Sequence, residues 1–388
     1  MSYLRRRLEE PILQALKGFP AILITGPRQA GKSTLLTHLL KEYRYISFDD
    51  PLIRKAAAND PELFLTENPP PLVIDEVQYV PEIFSHLKLR IDKNRQSYGQ
   101  YVFTGSQTFQ LMKGVSESLA GRIAIFQLYP FCFSEIDSKN HSDLTDRMLH
   151  GFYPEIFTNP NLIPNRWFGS YLNTYIERDL RNLKAINDLN RFQTYLQLLA
   201  YRSGQLLNLN EICKECGISQ TTAKDWLSLL ESTYIVHILR PYFRNHTKRL
   251  VKSPKVYFVD TGLLCYLLGI DSAEQLQKSP FRGHLFENLV IMDFVKQLAY
   301  DPARSQLHFY RTANGVEVDL LIEKGNDLYA FEIKYSQTPS SDFIQPLKLF
   351  LKDHAVKKAA LLNLRETPLK LSEEISAIHW REGLDLVS

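Results

Sequence analysis

The chain of 388 residues has little cysteine, no long apolar run and no large excess of charge of either sign. Its four cysteines are too few and too scattered for a disulfide framework, so a reducing cytoplasm is the expected compartment. No stretch approaches the roughly 18 apolar residues that a membrane span needs. The basic start of the chain also lacks the apolar segment of a signal peptide. These absences predict a soluble cytoplasmic protein without a membrane partner.

The charge balance excludes a global polycation. The 46 Lys and Arg residues and the 43 Asp and Glu residues leave a net charge of +3, so any nucleic-acid surface must be a local patch. Hydrophobic residues make up 44% of the chain, which suffices for a core in each of two or three domains. Cys213 and Cys216 form a lone C-x-x-C without a second pair or suitably spaced histidines. Packing residues are therefore favoured there over a metal or redox centre.

Three regions of the chain differ in their pattern. Residues 1–160 alternate short apolar strands with helical stretches, which is typical of a parallel sheet covered on both faces. Residues 161–275 are mostly helical, and residues 276–388 return to a mixed α/β pattern. We expect these regions to be three domains of an α/β protein. The strands predicted in the first region are Ala21–Thr25, Tyr45–Phe48, Pro71–Ile74, Tyr101–Thr104 and Ile123–Leu128.

A phosphate-binding motif lies between the first predicted strand and the helix that follows it. Residues 26–33 fit G-x-x-x-x-G-K-[ST] without a mismatch, and the strand and the helix lie on the required sides. Backbone N–H groups would wrap the phosphates, Lys32 would meet the β- and γ-phosphates, and Ser33 would ligate Mg²⁺. The residues predicted to contact the nucleotide are Gly26, Pro27, Arg28, Gln29, Ala30, Gly31, Lys32, Ser33 and Thr34.

Side chains after later strands complete the expected site. The third strand delivers Asp75, which would hold Mg²⁺, and Glu76, which would polarise the attacking water as general base. At the end of the fourth strand, Thr104 or Ser106 would sense the γ-phosphate. Arg122 precedes the fifth strand and would neutralise phosphate charge, either in its own subunit or in a neighbour's. The alternative for Arg122 is a purely structural ion pair.

These segments carry a family resemblance. GPRQAGKST, LVIDEVQ, VFTGSQ and LAGR resemble AAA-type ATPases of bacteria and archaea whose C-terminal region is the domain of unknown function DUF4143. YIERDL and VYFVDTGLLCYLLG are similar to recurring elements of that second domain, so the resemblance covers nearly the whole chain. It implies an ATPase core in which another strand separates the P-loop strand from the acidic strand. It also implies a possible homo-oligomer, but no particular cellular task. The lack of a guanine-reading N-K-x-D favours ATP over GTP.

A helix-turn-helix pattern occupies the middle region. A short helix ends at Gly217, Ser219 caps a second one, and two strand-like segments, Tyr234–Leu239 and Lys255–Val259, predict a winged helix. Lys224 is the only basic side chain on the second helix, which leaves few donors for reading DNA bases. A basic stretch that could contact phosphates as a wing contains Arg240, Arg244, Lys248, Arg249, Lys252 and Lys255, with Tyr242, Phe243 and His246 between them. A solvated loop and a protein-docking winged helix are the other interpretations.

The last region contains a pattern of carboxylates and lysine. Asp319 lies on one strand-like segment, and Glu332-Ile-Lys334 lies on the next, where period two puts Glu332 and Lys334 on one face. Glu287, on the preceding helix, can supply a third carboxylate. The order resembles the PD-(D/E)xK restriction-endonuclease-like fold, in which carboxylates hold a divalent metal and the lysine orients water. The other interpretation is a charge cluster kept for structure.

Three functions therefore stay open. The first is an ATPase that couples hydrolysis to a nuclease-like module acting on or binding DNA or RNA. The second is a nucleotide-controlled switch whose catalytically inactive C-terminal half binds a protein partner. A transcriptional regulator comes third because the base-reading face of the second helix is poor.

Overall fold

The computed structural model describes residues 3–105, 109–136, 143–175, 188–243, 251–301 and 305–387. Contacts between Cα atoms divide the chain into two compact units. The first unit holds Met1–Asn140, Tyr153–Asn159 and Ser232–Ile235. The second unit holds His141–Phe152, Pro160–Glu231 and Val236–Ser388. Two short segments from later in the chain therefore belong to the first unit.

A parallel five-stranded sheet forms the centre of the first unit. Its strands are β1 (Ala21–Thr25), β2 (Arg44–Ser47), β3 (Leu72–Asp75), β4 (Tyr101–Thr104) and β5 (Ile123–Gln127). Their spatial order is β2-β3-β4-β1-β5, so β4 separates the P-loop strand from the acidic strand, as the family resemblance implies. The predicted strands are confirmed to within one residue at either end.

Helices pack against this sheet because its inner strands are apolar on both faces. They are α1 (Glu9–Ala15), α2 (Lys32–Leu39), α3 (Pro51–Asn59), α4 (Pro61–Glu67), α5 (Ile83–Lys93), α6 (Phe109–Leu119), α7 (Phe133–Ile136) and α9 (Pro154–Thr158). Every residue of β1 is buried, and Phe84 of α5 meets Phe103 of β4 edge to face at 5.7 Å. The edge strand β5 is only half-buried, and Ile125 is 44% exposed, so two-sided cover holds for the inner strands alone.

Helices also make up much of the second unit. They are α8 (Leu144–His150), α10 (Pro164–Tyr175), α11 (Leu189–Tyr201), α12 (Leu209–Cys216), α13 (Gln220–Ser232), α14 (Thr261–Leu267), α15 (Ala273–Lys278), α16 (Arg282–Leu298) and α17 (Gln345–Leu351). Residues 176–187, which follow α10, lie outside the described ranges.

The helix-turn-helix geometry agrees with the sequence pattern. Gly217 ends α12 with a φ of 64°, a left-handed conformation that favours glycine. Ser219 then accepts the Thr222 N–H at 3.0 Å and begins α13. Trp226 of α13 packs edge to face on Phe192 of α11 at 5.2 Å. Cys213 and Cys216 are both buried in α12, and all four cysteines of the chain are free thiols.

A mixed eight-stranded sheet runs through the rest of the second unit. Its strands are β6 (Val236–Pro241), β7 (Lys255–Phe258), β8 (Gln306–Arg311), β9 (Glu317–Lys324), β10 (Asp327–Ile333), β11 (Lys358–Asn363), β12 (Leu369–Lys370) and β13 (Ile375–His379). The order is β12-β13-β11-β10-β9-β8-β6-β7. The two strands expected as a wing, β6 and β7, thus continue the C-terminal sheet, because β6 pairs in parallel with β8.

A buried asparagine fixes α16 to this sheet. The side-chain amide of Asn288 donates to the Phe258 carbonyl at 2.8 Å, and its oxygen accepts the Phe258 N–H at 2.8 Å and the Ser203 hydroxyl at 2.9 Å. Asn288 is fully buried, so these bonds satisfy polar atoms that would otherwise lose hydration without replacement. The fully paired amide determines which face of α16 lies on β7.

The VYFVDTGLL segment has a structural role of the same kind. Asp260 is buried, caps α14 by accepting the Leu263 N–H at 3.1 Å, and accepts the Phe152 N–H at 2.7 Å. A Cβ at Gly151 would lie 2.0 Å from an Asp260 oxygen, so residue 151 has no room for a side chain. In the ranges that the structure describes, no helix has the length and apolar character that crossing a bilayer requires.

Candidate active site

The phosphate-binding motif forms the loop between β1 and α2. Gly26 has a φ of 147°, and a Cβ at this position would lie 2.1 Å from the Leu128 carbonyl oxygen, so only glycine lets the loop leave the sheet here. Lys32 is the first residue of α2, and its ammonium donates to the carbonyls of Gly26 at 3.0 Å and Pro27 at 2.9 Å. The buried ammonium therefore lies within the curve of the loop.

The remaining motif residues differ in exposure. Ala30 is buried, Arg28 is half-buried, and Gln29 is exposed with a φ of 61°, which is uncommon for a residue with a side chain. Gly31 caps α2 in a left-handed conformation, and Thr34 is exposed on the first turn of the helix. The N-terminus of α2 therefore faces the space that the loop encloses, as anion binding requires.

The acidic strand meets the P-loop through hydrogen bonds. Ser33 donates its hydroxyl to Asp75 Oδ2 at 3.0 Å, and Thr104 donates its hydroxyl to Asp75 Oδ1. The Thr104 oxygen also accepts the Glu76 N–H at 3.2 Å. Since β4 lies between β1 and β3, the strand order brings the side chains of Ser33, Asp75 and Thr104 together with the backbone of Glu76. Hydroxyl and carboxylate oxygens are ligands that Mg²⁺ prefers, so Ser33 and Asp75 fit a magnesium ion.

Glu76 stands at a turn with a special backbone conformation. Its φ of 57° and ψ of 43° are left-handed, a region that is costly for a residue other than glycine. The next residues, Val77–Tyr79, form a 3₁₀ turn, and the side-chain amide of Gln78 donates to the Glu76 carboxylate. Gln78 was not predicted, and no sequence signal separates it from an ordinary turn residue.

Arg122 lies at the opposite end of the strands from the phosphate-binding loop. It comes before Ile123, which pairs with Ala21 at the start of β1, whereas the phosphate-binding loop follows Thr25 at its end. Its guanidinium forms a two-point ion pair with Asp92 at 2.7 and 3.0 Å. The prediction that Arg122 neutralises phosphate charge in its own subunit is therefore wrong, because the length of β1 separates the two. Ser106, the other sensing candidate, lies outside the described residues.

Besides Gln78, sequence reasoning missed two residues that touch this site. Tyr45 on β2 interacts with both Ser33 and Asp75. Burial raises the pKa of its phenol, the hydrogen bond with Ser33 opposes this rise, and Asp75 adds to it. Arg6 is only 4% exposed, and its guanidinium donates to the Ala30 carbonyl at 2.9 Å. The basic N-terminal segment could have drawn attention to Arg6, but three adjacent arginines give no reason to choose the middle one.

The C-terminal unit brings three of the four predicted residues together. Leu320 pairs with Phe331 in the antiparallel β9–β10 ladder, which places Asp319 beside Glu332. Lys334 donates to Glu332 Oε1 at 2.6 Å and to Asp319 Oδ2 at 3.2 Å. Within the described chain, the second Glu332 oxygen is buried and has no hydrogen-bond partner.

The two carboxyls have opposite tendencies to ionise. Burial raises the pKa of Glu332 well above its ordinary value, and the negative charge of Asp319 raises it further. Burial also opposes ionisation of Asp319, but the charges of Lys334 and Lys255 hold its pKa below the ordinary value. One buried carboxyl that keeps a proton beside one that gives it up is the usual result when like charges are this close.

Glu287 does not complete a metal centre with them. It accepts hydrogen bonds from Tyr257 at 2.6 Å and Lys255 at 3.1 Å, and Lys255 also pairs with Glu317 at 2.5 Å. Across the described ranges, no three His, Cys, Asp or Glu side chains are grouped to hold a metal ion. The predicted metal site of three carboxylates is therefore wrong, because the Glu287 carboxylate is hydrogen-bonded to the buried Lys255 and to Tyr257.

The basic stretch after α13 is also different from the expected patch. Lys255 is 2% exposed and takes part in the ion pairs just described, so it offers no charge to a ligand. Tyr242 is buried as well, while Arg240 and Lys252 are exposed. The other basic residues and His246 lie outside the described residues. Membership of Lys255 in a nucleic-acid surface is therefore contradicted.

Comparison with known proteins gives three family matches along the chain. An AAA domain matches residues 18–137, and two domains of unknown function, DUF8612 and DUF4143, match residues 141–274 and 282–382. Uncharacterized proteins of Mycobacterium bovis and Mycobacterium tuberculosis are each 33% identical over 378 residues, which covers 96% of this chain and 83% of each relative.

Solved structures show weaker similarity. The Walker-type ATPase Paby2304 of Pyrococcus abyssi is 16% identical with a TM-score of 0.43, covering 69% of this chain and 96% of that one. AMPPCP-bound DnaA from Aquifex aeolicus is 17% identical with a TM-score of 0.30, covering 76% of this chain and 92% of that one.

Proposed function

Because this chain belongs to the family that joins an AAA domain to the C-terminal domain DUF4143, we propose that it binds ATP with Mg²⁺ and hydrolyses it. One observation carries the proposal: the hydroxyl of Ser33 from the P-loop meets the carboxylate of Asp75 from a separate strand at 3.0 Å. The two groups come from sequence positions far apart and converge only at the mouth of the loop. A solvated turn would not require this convergence.

Each residue then has a defined task. The P-loop backbone and the N-terminus of α2 bind the phosphates, and the Lys32 ammonium neutralises charge on them. Ser33 and Asp75 would hold Mg²⁺, which supplies further charge neutralisation when bound. Glu76 orients the attacking water and accepts its proton, a role that contributes about 10²–10⁴-fold in enzymes. Thr104 holds Asp75 and Glu76 in one arrangement through its hydroxyl.

The test compares binding with turnover. We would measure ATP binding by equilibrium dialysis and phosphate release by a colorimetric assay for wild type, Lys32→Ala, Glu76→Gln and the exposed control Glu82→Gln. Lys32→Ala should lose binding and turnover together. Glu76→Gln should keep binding but release phosphate about 10²-fold or more slowly, because only the proton acceptor is removed. Wild-type turnover in Glu76→Gln would overturn the assignment of the base.

For the C-terminal half we propose a restriction-endonuclease-like fold that binds or cleaves nucleic acid, next to a helix-turn-helix. The convergence of Asp319, Glu332 and Lys334 on neighbouring strands supports it, as does the unpartnered Glu332 oxygen within the described chain. The proposed domains are residues 1–160, 161–275 and 276–388. Strands β6 and β7 lie in the sheet of the third region, so any wing would have to be shared with it.

A cleavage assay decides between this function and a protein-binding switch. Single- and double-stranded DNA and RNA would be incubated with the protein, Mg²⁺ or Mn²⁺, with and without ATP. Metal-dependent cleavage that Asp319→Ala abolishes, and that the partly exposed control Asp327→Ala retains, would support a nuclease. No cleavage and no retention of nucleic acid at low salt would favour a protein partner, to be sought by nucleotide-dependent pulldown.

Two further features complete the proposal. The four free, buried cysteines support a reducing cytoplasm as the compartment.

Arg122, at the end of the strands away from its own P-loop, would act on nucleotide only in a neighbouring subunit of a homo-oligomer. Sedimentation with and without ATP tests that assembly, and a strictly monomeric protein under both conditions would exclude the role.

A further inference from the structure

A cavity of about 600 Å³ opens beside the phosphate-binding loop in the first unit. Gly31 and Thr34 form its end nearest the loop, and Thr37, His38 and Lys41 continue the wall away from it. Thr34, Thr37 and His38 are spaced i, i+3 and i+4 on one face of α2, and Lys41 follows just beyond the end of the helix. With a rise of 1.5 Å per residue, the helical part of that wall is roughly 6 Å long, and it begins where a bound phosphate chain would end.

The N-terminal segment forms a second wall of the cavity. The ring of Tyr3 stacks on the imidazole of His38, with centroids 3.7 Å apart and planes inclined by 18°. The Tyr3 hydroxyl also donates to Glu9 at 2.9 Å. Phe131 and Pro154 contribute further apolar surface. Aromatic faces with apolar neighbours are typical of sites that bind a flat heteroaromatic ring.

Arg6 fixes these walls to the phosphate-binding loop. Its guanidinium donates to the carbonyls of Ala30 at 2.9 Å and Tyr129 at 2.6 Å, pairs with Glu135 at 3.1 Å and lies over the Phe131 ring at 4.6 Å. The charge is thus fully engaged by protein groups and buried. Arg6 holds the loop and the cavity wall in one rigid piece rather than offering a free charge to a ligand.

We propose that this cavity binds the nucleoside part of the triphosphate, with the Tyr3–His38 pair as a stacking wall for a purine base and Arg6 as a positioning residue. The inference rests on the proposed nucleotide site, because the phosphates determine where the nucleoside must lie. Stacking depends on ring area, so purines bind more tightly than pyrimidines, while adenine and guanine differ little by this contact alone.

The experiment separates base binding from phosphate binding. Calorimetry with Mg²⁺ would compare ATP, CTP and inorganic tripolyphosphate, which lacks a nucleoside. In the wild type ATP should bind roughly tenfold or more tightly than tripolyphosphate. Tyr3→Ala and His38→Ala should each weaken ATP roughly tenfold and leave tripolyphosphate unchanged. Tyr3→Phe, which keeps the ring, and the exposed control Arg5→Ala should both retain wild-type affinity for ATP.

Arg6→Lys gives a different signature from the ring variants. It should weaken ATP and tripolyphosphate by the same factor, because the loss is in the loop that holds the phosphates. Unchanged ratios of ATP to tripolyphosphate affinity in both ring variants would overturn the nucleoside site while leaving the phosphate site in place. A wild type that binds neither ligand would instead overturn the proposed function itself. His38 is exposed on α2, so His38→Ala remains informative even where Tyr3→Ala impairs folding.

Discussion

Replacing Thr104 by valine tests the link between the strand ends most directly. Valine keeps the shape of the side chain, and the site is fully buried, so the change removes only the hydroxyl. Two hydrogen bonds disappear: the one that Thr104 donates to Asp75 and the one that it accepts from the Glu76 N–H at 3.2 Å. Asp75 keeps its bond from Ser33, but the Glu76 N–H loses this partner.

The expected magnitude follows from those two bonds. A hydrogen bond to a charged group contributes about 1.5–3 kcal/mol, and a buried donor left unpaired costs about 1–3 kcal/mol. Allowing for partial relaxation, Thr104→Val should lower the free energy of unfolding of the first unit by about 2–4 kcal/mol. For a domain of this size, the thermal midpoint should fall by roughly 5–15 °C.

The same loss should reach catalysis. Asp75 and Glu76 would no longer be held together, and about 1.4 kcal/mol of lost positioning corresponds to a tenfold lower rate. We expect kcat for ATP hydrolysis to fall roughly ten- to a hundredfold, with the affinity for ATP changed much less. Thr104→Ser restores the hydroxyl and should recover both stability and turnover. A Thr104→Val protein with wild-type kcat and midpoint would refute the reasoning, since the two bonds would then contribute nothing.

Two further predictions concern pH and the loop. Glu332 has a raised pKa, so the stability that its protonated form contributes is fully present below pH 4.5 and is lost as pH rises through the folded pKa. Glu332→Gln should therefore gain stability relative to the wild type as pH increases. Asp319 has a lowered pKa, so the stability that its ionised form contributes is present above pH 3.8 and is lost as pH falls through the folded pKa. The destabilisation caused by Asp319→Asn should therefore shrink in acid. Thermal midpoints of the two variants that move in parallel with pH would contradict both assignments. Gly26→Ala forces a Cβ against the Leu128 carbonyl, 2.1 Å away, and should abolish ATP binding in dialysis; a variant that still binds ATP with wild-type affinity would show that the loop can shift at little cost.

Local patterns predicted the first unit well because its chemistry is local. The P-loop motif needs only a strand, a glycine-rich turn and a helix in succession, and each of these can be read from adjacent residues. The apolar runs of β1, β3 and β4 are buried on both faces, so a continuous apolar stretch identified them without knowledge of their neighbours. The strand order came from the family resemblance, because adjacency within a sheet has no local signature.

The C-terminal site was predicted only in part for the same reason. Period two within one strand correctly placed Glu332 and Lys334 on one face, and the neighbouring strand supplied Asp319. Glu287 also lies near them in the order of the chain, but its partners come from β7, a strand that the sequence assigned to a different domain. The basic composition of the stretch after α13 similarly suggested an exposed Lys255, whereas Lys255 is buried in ion pairs with Glu287 and Glu317.

The sequence by itself determined the elements, the phosphate-binding loop and the residue types at its edge, because those depend on spacing along the chain. Tertiary structure alone decided that Thr104 joins Asp75 to Glu76, that Arg122 pairs with Asp92, and that Arg6 donates to the Ala30 carbonyl in the loop. These depend on which strands are neighbours and which direction each runs. Residues far apart in the chain meet only after the sheet has formed, so no pattern of adjacent residues encodes their contacts.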